Sequence, residues 1–193
     1  LKKLTDNELV RAYVNGNNQA FDMLLQRYQG KVYSYILHIV KNKDVADDIF
    51  QETFVKIIMT LRQGRYTDTG KFAAWLNRIA HNLIIDYYRQ EKSENSVSID
   101  NDDVDMLNRR DLCEANIEDL MVDIQIRDDV RRIIDALPLP QREVLVMRYY
   151  NDMSFKEIAE ATGVSINTAL GRMRYAILNM RRIASENNIV LTA

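Results

Sequence analysis

No proline occurs before residue 138 of this chain, and through most of that length apolar residues recur at three- and four-residue steps. Such spacing gathers the apolar side chains of each stretch on one face of a helix. Only six glycines and two prolines are present to interrupt it, so an all-α fold is expected. Thr5 to Glu8 (TDNE) has capping-box spacing, and a short helix should run from it to about Asn15, where Gly16 ends it. Asn17 or Asn18 can cap a second helix with Ala20, Phe21, Leu24, Leu25 and Tyr28 on one side. Gly30 is expected to separate that helix from another carrying Val32, Tyr33, Ile36, Leu37 and Val40. His38 within it reads as an ordinary packed or surface histidine.

Asp44 then opens the stretch DVADDIFQETFVKIIMTL. Val45, Ile49, Phe54, Ile57, Ile58 and Leu61 supply a buried side, and Asp47, Asp48, Gln51, Glu52 and Lys56 a polar one. The carboxylates near its start compensate the helix dipole, or form a charged face for a partner protein. Neighbouring helix positions diverge, so these acids do not make a catalytic pair.

The stretch FAAWLNRIAHNLIIDYYR, Phe72 to Arg89, has an apolar face of Leu76, Ile79, Ala80, Leu83 and Tyr87. Arg78, His81, Asn82 and Arg89 lie largely elsewhere and mix cations with amides, a set suited to phosphates and base edges. Upstream, GRYTDTG places Tyr66 beside Arg65 in a loop. A basic, amide-bearing helix beside an aromatic loop can hold an unpaired strand by stacking and hydrogen bonding. The same pattern also describes a core helix with a solvated outer face.

The net charge of −2 hides an asymmetry. From Glu91 to Asp129 there are 13 acidic and 4 basic residues, and elsewhere 22 basic and 15 acidic ones. Two mildly basic blocks flanking an acidic strap fit a nucleic-acid binder whose strap avoids or imitates nucleic acid. Ser93 to Asn116 is polar, acidic and short of aromatics, as a linker that is flexible when free would be. The single cysteine, Cys113, lies in it, which excludes an internal disulfide and indicates a reducing compartment. Two histidines and one cysteine give no metal-ligand spacing. The first residues, LKKLTDNEL, lack the apolar segment of a signal peptide, and no apolar run is long enough to span a membrane. A cytoplasmic protein is expected.

Beyond the linker, Leu120, Ile124, Val130, Ile133, Ile134 and Leu137 can support one or two helices before Pro138 and Pro140 force a break. Pro140 can begin the next helix, QREVLVMRYY. Ser154 to Glu157 (SFKE) is a second capping box, Gly163 provides a tight turn, and Ser165 can cap a helix from Ile166 onward. Helix, glycine turn and capped second helix make a helix-turn-helix. The second helix carries Arg172, Arg174, Arg181 and Arg182, and no acid occurs between Gly163 and Ser185. Positive charge of that extent points to phosphate contact, and Asn167 and Thr168 stand in the first turn, where a recognition helix meets base edges.

The order of these parts resembles the extracytoplasmic-function sigma factors, small two-domain members of the bacterial housekeeping sigma family. The blocks that carry it are DVADDIFQETFVKI, FAAWLNRIAHNLIIDYYR, LPLPQREVLVMRYYNDMSFKEIAEATGVSINT and GRMRYAILNMRR. The resemblance implies a region-two domain over residues 1–92, an acidic linker over 93–116, a region-four helix-turn-helix domain over 117–186 and a tail over 187–193. It further implies docking of Asp48, Gln51 and Glu52 on the β′ clamp helices of core RNA polymerase, which also engages such factors through its β subunit. Tyr66 and Asn82, with Asn77, Arg78 and His81 as neighbours, would read and help melt the promoter −10 element. Ser165, Asn167, Thr168, Arg172 and Arg174 would serve the −35 element. Leu170 and Gly171 depart from the polar residue and serine that many relatives carry there, which removes two potential polar contacts. An anti-sigma protein, often membrane-bound, is implied as a further partner, the linker would follow the RNA exit path, and no cofactor, metal, catalytic residue or small-molecule substrate is needed. The competing reading is a stand-alone dimeric helix-turn-helix regulator.

Overall fold

The computed structural model describes residues 4–67, 70–94, 128–187 and 189. Every regular element among them is a helix: α1 (Asp6–Val14), α2 (Asn18–Val40), α3 (Lys43–Arg62), α4 (Phe72–Glu94), α5 (described over 128–135), α6 (Leu139–Tyr149), α7 (Phe155–Thr162) and α8 (Ile166–Glu186). The all-α expectation therefore holds across the described residues. The linker expected at 93–116, with Cys113, and the segment of Leu120 and Ile124 lie largely or wholly outside them. No described helix is long and apolar enough to cross a membrane.

The start signals work as local chemistry requires. Thr5 and Ser154 each accept from the backbone of a glutamate three residues on, and Glu8 and Glu157 each reach back to the cap backbone. Ser165 Oγ accepts from Thr168 N at 3.0 Å and starts α8. Asn42, rather than Asp44, caps α3, accepting from Asp44 N and Val45 N. Gly163 closes α7 at φ 67°, a left-handed conformation that costs an L side chain about 1–2 kcal/mol.

One boundary differs from the sequence expectation. Gly30 does not separate two helices; α2 runs unbroken through it for 23 residues. A helical glycine costs only about 1 kcal/mol relative to alanine. Ala20 and Leu24 before it, and Val32, Tyr35, Ile36 and Ile39 after it, are all buried, and their packing outweighs that cost.

Helices α1 to α4 form an N-terminal half in which α2, α3 and α4 pack on one another, and α6 to α8 form the core of a C-terminal half. The halves are in contact: α4 lies against α7, and α2 against α6. Their buried side chains join in one continuous cluster from Leu9 to Ala176.

Candidate nucleic-acid interface

Helix α4 buries two adjoining stripes. Phe72, Leu76, Ala80, Leu83 and Ile84 face the N-terminal core. Asn77 and His81, only 3% and 6% exposed, face the C-terminal half instead. Asn77 Nδ2 donates to Ala73 O at 2.9 Å, and Asn77 Oδ1 accepts from Asn151 Nδ2 at 2.8 Å. His81 Nδ1 lies 3.1 Å from Tyr35 Oη and 3.3 Å from Glu143 Oε1. Arg78 and Asn82, on neighbouring stripes, are exposed. Tyr66 of the preceding loop packs its ring 4.6 Å from Trp75 and 5.7 Å from Phe72, centroid to centroid. Aromatic pairs prefer such tilted approaches, so the loop is held beside the start of α4.

Between α4 and α7 lies a cavity of about 260 Å³. Arg65, Thr67, Lys71, Trp75 and Arg78 line one side, and Glu157, Glu160 and Ala161 of α7 the other. Lys71 Nζ stands 4.0 Å from Glu160 Oε2, an exposed pair worth little by itself.

The rest of the seam is also polar. Arg142 donates to Asp135 O and Leu137 O within its own half, and to His38 O and Ile39 O at the C-terminal end of α2. A cation there satisfies carbonyls that the helix leaves without partners. Lys31 Nζ reaches Asp152 Oδ2 at 2.6 Å, and the His38 and Tyr150 rings lie 4.9 Å apart. Burial pushes the Glu143 carboxyl up to about 7, against the pull of Arg172 and Arg142. Burial, helped by Arg172, lowers His81 to about 4. Between those values the two groups form a neutral pair rather than a salt bridge. Tyr35 then donates to Nδ1, and Glu143 Oε1 finds no hydrogen-bond partner among the described residues. Arg142 Nε and Asn151 Oδ1 are buried without partners too. Each such atom costs about 1–3 kcal/mol.

On α3, Asp48, Gln51 and Glu52 are all exposed, and Glu52 pairs with Lys56 at 3.2 Å. The same stripe continues into Val55 and Met59, exposed to 52% and 53%. The sequence reading passed over these two. Their signal was register: four- and three-residue steps from Asp48 through Glu52 lead to them, on the side away from Ile49, Phe54 and Ile57.

On α8, Asn167 and Arg174 are exposed and share a face, with Leu170 between them, 44% exposed. Arg172 lies about 140° round the helix from Asn167. It is half-buried and lines an apolar recess with Pro138, Pro140, Thr168, Gly171 and Tyr175, within electrostatic reach of His81 and Glu143. The structure thus brings Asn77 and His81 to one seam with Arg172 nearby, leaves Asn82, Asn167 and Arg174 on outer faces, and sets Arg78, still exposed, along the cavity between α4 and α7. Ser165 and Thr168 share a hydroxyl contact of 2.8 Å, so Ser165 acts first as the cap of α8.

A helix-turn-helix whose second helix carries four arginines defines a DNA-binding protein. The comparisons with known proteins give its family. Residues 24–94 match the family model of sigma-70 region 2, and residues 127–172 that of sigma-70 region 4. The chain is 31% identical over 175 residues to the ECF RNA polymerase sigma-E factor of Escherichia coli, with 89% of this chain and 90% of that protein covered. It is 26% identical over 167 residues to the ECF RNA polymerase sigma factor SigW of Bacillus subtilis, with 85% and 88% covered. Its fold is similar to that of CnrH in complex with the cytosolic domain of CnrY (TM-score 0.65, 24% identity, 94% and 97% covered). It is also similar to the sigma factor RpoE of Bartonella quintana in complex with the anti-sigma factor NepR (TM-score 0.66, 20% identity, 86% and 96% covered). The chain belongs to the ECF RNA polymerase sigma factors and directs promoter-specific transcription initiation with RNA polymerase.

Proposed function

We propose that the chain acts in the cytoplasm as an initiation factor without catalytic chemistry of its own, dividing its work among three surfaces. Asp48, Gln51 and Glu52, extended by Val55 and Met59, dock on the β′ clamp helices. Tyr66, Asn77, Arg78, His81 and Asn82 hold the unpaired strand of the −10 element. Asn167 and Arg174 meet the −35 duplex, Thr168 and Arg172 flank them, and Ser165 holds the start of the helix in place. Unstacking a base costs a few kcal/mol, and stacking with edge hydrogen bonds returns a similar amount, so opening follows from binding energy alone. An anti-sigma protein is the natural inhibitor, since the sigma factor RpoE of Bartonella quintana, of similar fold, was solved with the anti-sigma factor NepR.

The observation that carries this reading is the exposed amide and cation pair, Asn82 and Arg78, beside the aromatic loop of Tyr66, in a chain that also bears the arginine-lined α8. The test is transcription reconstituted with sigma-free core polymerase on fragmented genomic DNA, with transcript starts sequenced. Starts should share paired upstream elements. Asn82→Ala should relax or abolish the downstream element, and Arg174→Ala the upstream one. Absence of starts together with absence of core binding would leave a dimeric regulator as the better account.

A further inference from the structure

We propose that Leu170 is a specificity-determining residue of α8, its side chain packing on the C5-methyl group of a thymine in the −35 duplex. The inference rests on the reading of α8 as the helix that meets that duplex. The core holds α8 through other residues. Ala169, Met173, Ala176 and Ala184 are buried on its inner side, while Leu170 is 44% exposed. At about 100° per residue, Leu170 lies about 60° round the helix from Asn167 and about 40° from Arg174, so the three share one narrow face. Along the axis it stands about 4.5 Å beyond Asn167 and about 6 Å short of Arg174. Those steps match one to two base pairs stacked about 3.4 Å apart. Ile166, exposed to 45%, lies one turn before Leu170 on the same side. Asn167 and Arg174 thus border an apolar strip formed by Ile166 and Leu170. No acid occurs between Gly163 and Ser185, so no carboxylate of α8 repels a duplex from this face.

The major groove presents a single kind of apolar group, the methyl of thymine; adenine, guanine and cytosine offer donors and acceptors there. A leucine set against those groups strips water from them and gives no hydrogen bond in return. Set against thymine, it removes apolar surface from water on both molecules. The arginines of α8 attract any phosphate backbone, and Leu170 adds a preference that phosphate contacts do not carry.

The test uses holoenzyme reconstituted with the full chain and synthetic promoter duplexes. Each thymine of the upstream element, in either strand, is replaced in turn by deoxyuridine. That change removes the methyl group and leaves every hydrogen-bonding group in place. Binding is measured by competition at one salt concentration. Deoxyuridine at one thymine, or at two neighbouring ones, should weaken parent binding about three- to fivefold, as expected for one buried methyl group. Leu170→Ala should bind the thymine duplex more weakly by a similar factor and no longer distinguish thymine from deoxyuridine. Arg174→Ala should bind more weakly yet keep the distinction. Leu170 is exposed, and a far-UV circular dichroism spectrum equal to the parent's shows that the alanine variant is folded. Equal deoxyuridine sensitivity in the parent and Leu170→Ala overturns the proposal, and so does an upstream element without thymine. A parent that prefers its upstream element yet ignores every methyl group rejects the role of Leu170 alone. A parent with no upstream preference rejects the reading of α8, and the proposal with it.

Discussion

Glu143 and His81 carry opposite pH dependences on one seam. Burial in the closed seam between the two halves raises the Glu143 carboxyl from its ordinary 4.5 to about 7. The closed state therefore binds that proton more tightly, and Glu143 weakens closure as pH rises from 4.5 through 7. Burial, helped by Arg172, lowers His81 from 6.5 to about 4, so the buried imidazole holds its proton less tightly than one open to water, and His81 weakens the closed seam as pH falls from 6.5 toward 4. Where the two ranges overlap the slopes oppose, and the parent seam should be nearly indifferent to pH. Arg172 of α8 faces both groups, Arg142 of α6 faces the carboxyl, and Tyr35 of α2 holds the imidazole. Glu143→Gln should leave the histidine slope alone, so closure loosens as pH falls below 6.5, by at most about 3 kcal/mol over the range. His81→Asn should do the reverse, loosening closure as pH rises toward 7. Energy transfer between dyes on Val14→Cys and Leu178→Cys, exposed sites on opposite halves, in a Cys113→Ser chain followed against pH, reads both. A Glu143→Gln chain as indifferent to pH as the parent would contradict the assignment.

At the level of single helices, much was legible because the controlling chemistry is local. TDNE and SFKE close as capping boxes, Ser165 caps α8, and Gly163 takes the left-handed turn, all within four residues of sequence. Gly30 was misread because its local preference competes with burial on both sides of it, which spacing cannot weigh. The two glycines consequently make opposite predictions. Gly30 is helical and has open space around its added Cβ, so Gly30→Ala should stabilise the chain by about 0.5–1 kcal/mol. Gly163→Ala should destabilise it by about 1–2 kcal/mol, because alanine meets the same turn at φ 67° with a Cβ. Urea midpoints at constant slope measure both. Val55 and Met59 were also passed over, since they are apolar residues on an outer face and pattern alone assigns apolar residues inward.

For the whole molecule, the order of parts was legible and their arrangement was not. The sequence shows Asn77 and His81 as polar residues on a helix, with nothing to say that Asn151 and Glu143, some 60 to 75 positions away, cover them. That contact joins two halves through an imperfect polar seam, and only the fold brings the groups together. The most direct measurement is permanganate reactivity of promoter thymines in a reconstituted initiation complex, compared between the parent and Asn82→Ala. The account predicts reactive, unpaired thymines within the −10 element for the parent. For Asn82→Ala it predicts their loss, with protection of the −35 duplex retained. Equal reactivity in the two complexes would contradict the role given to α4.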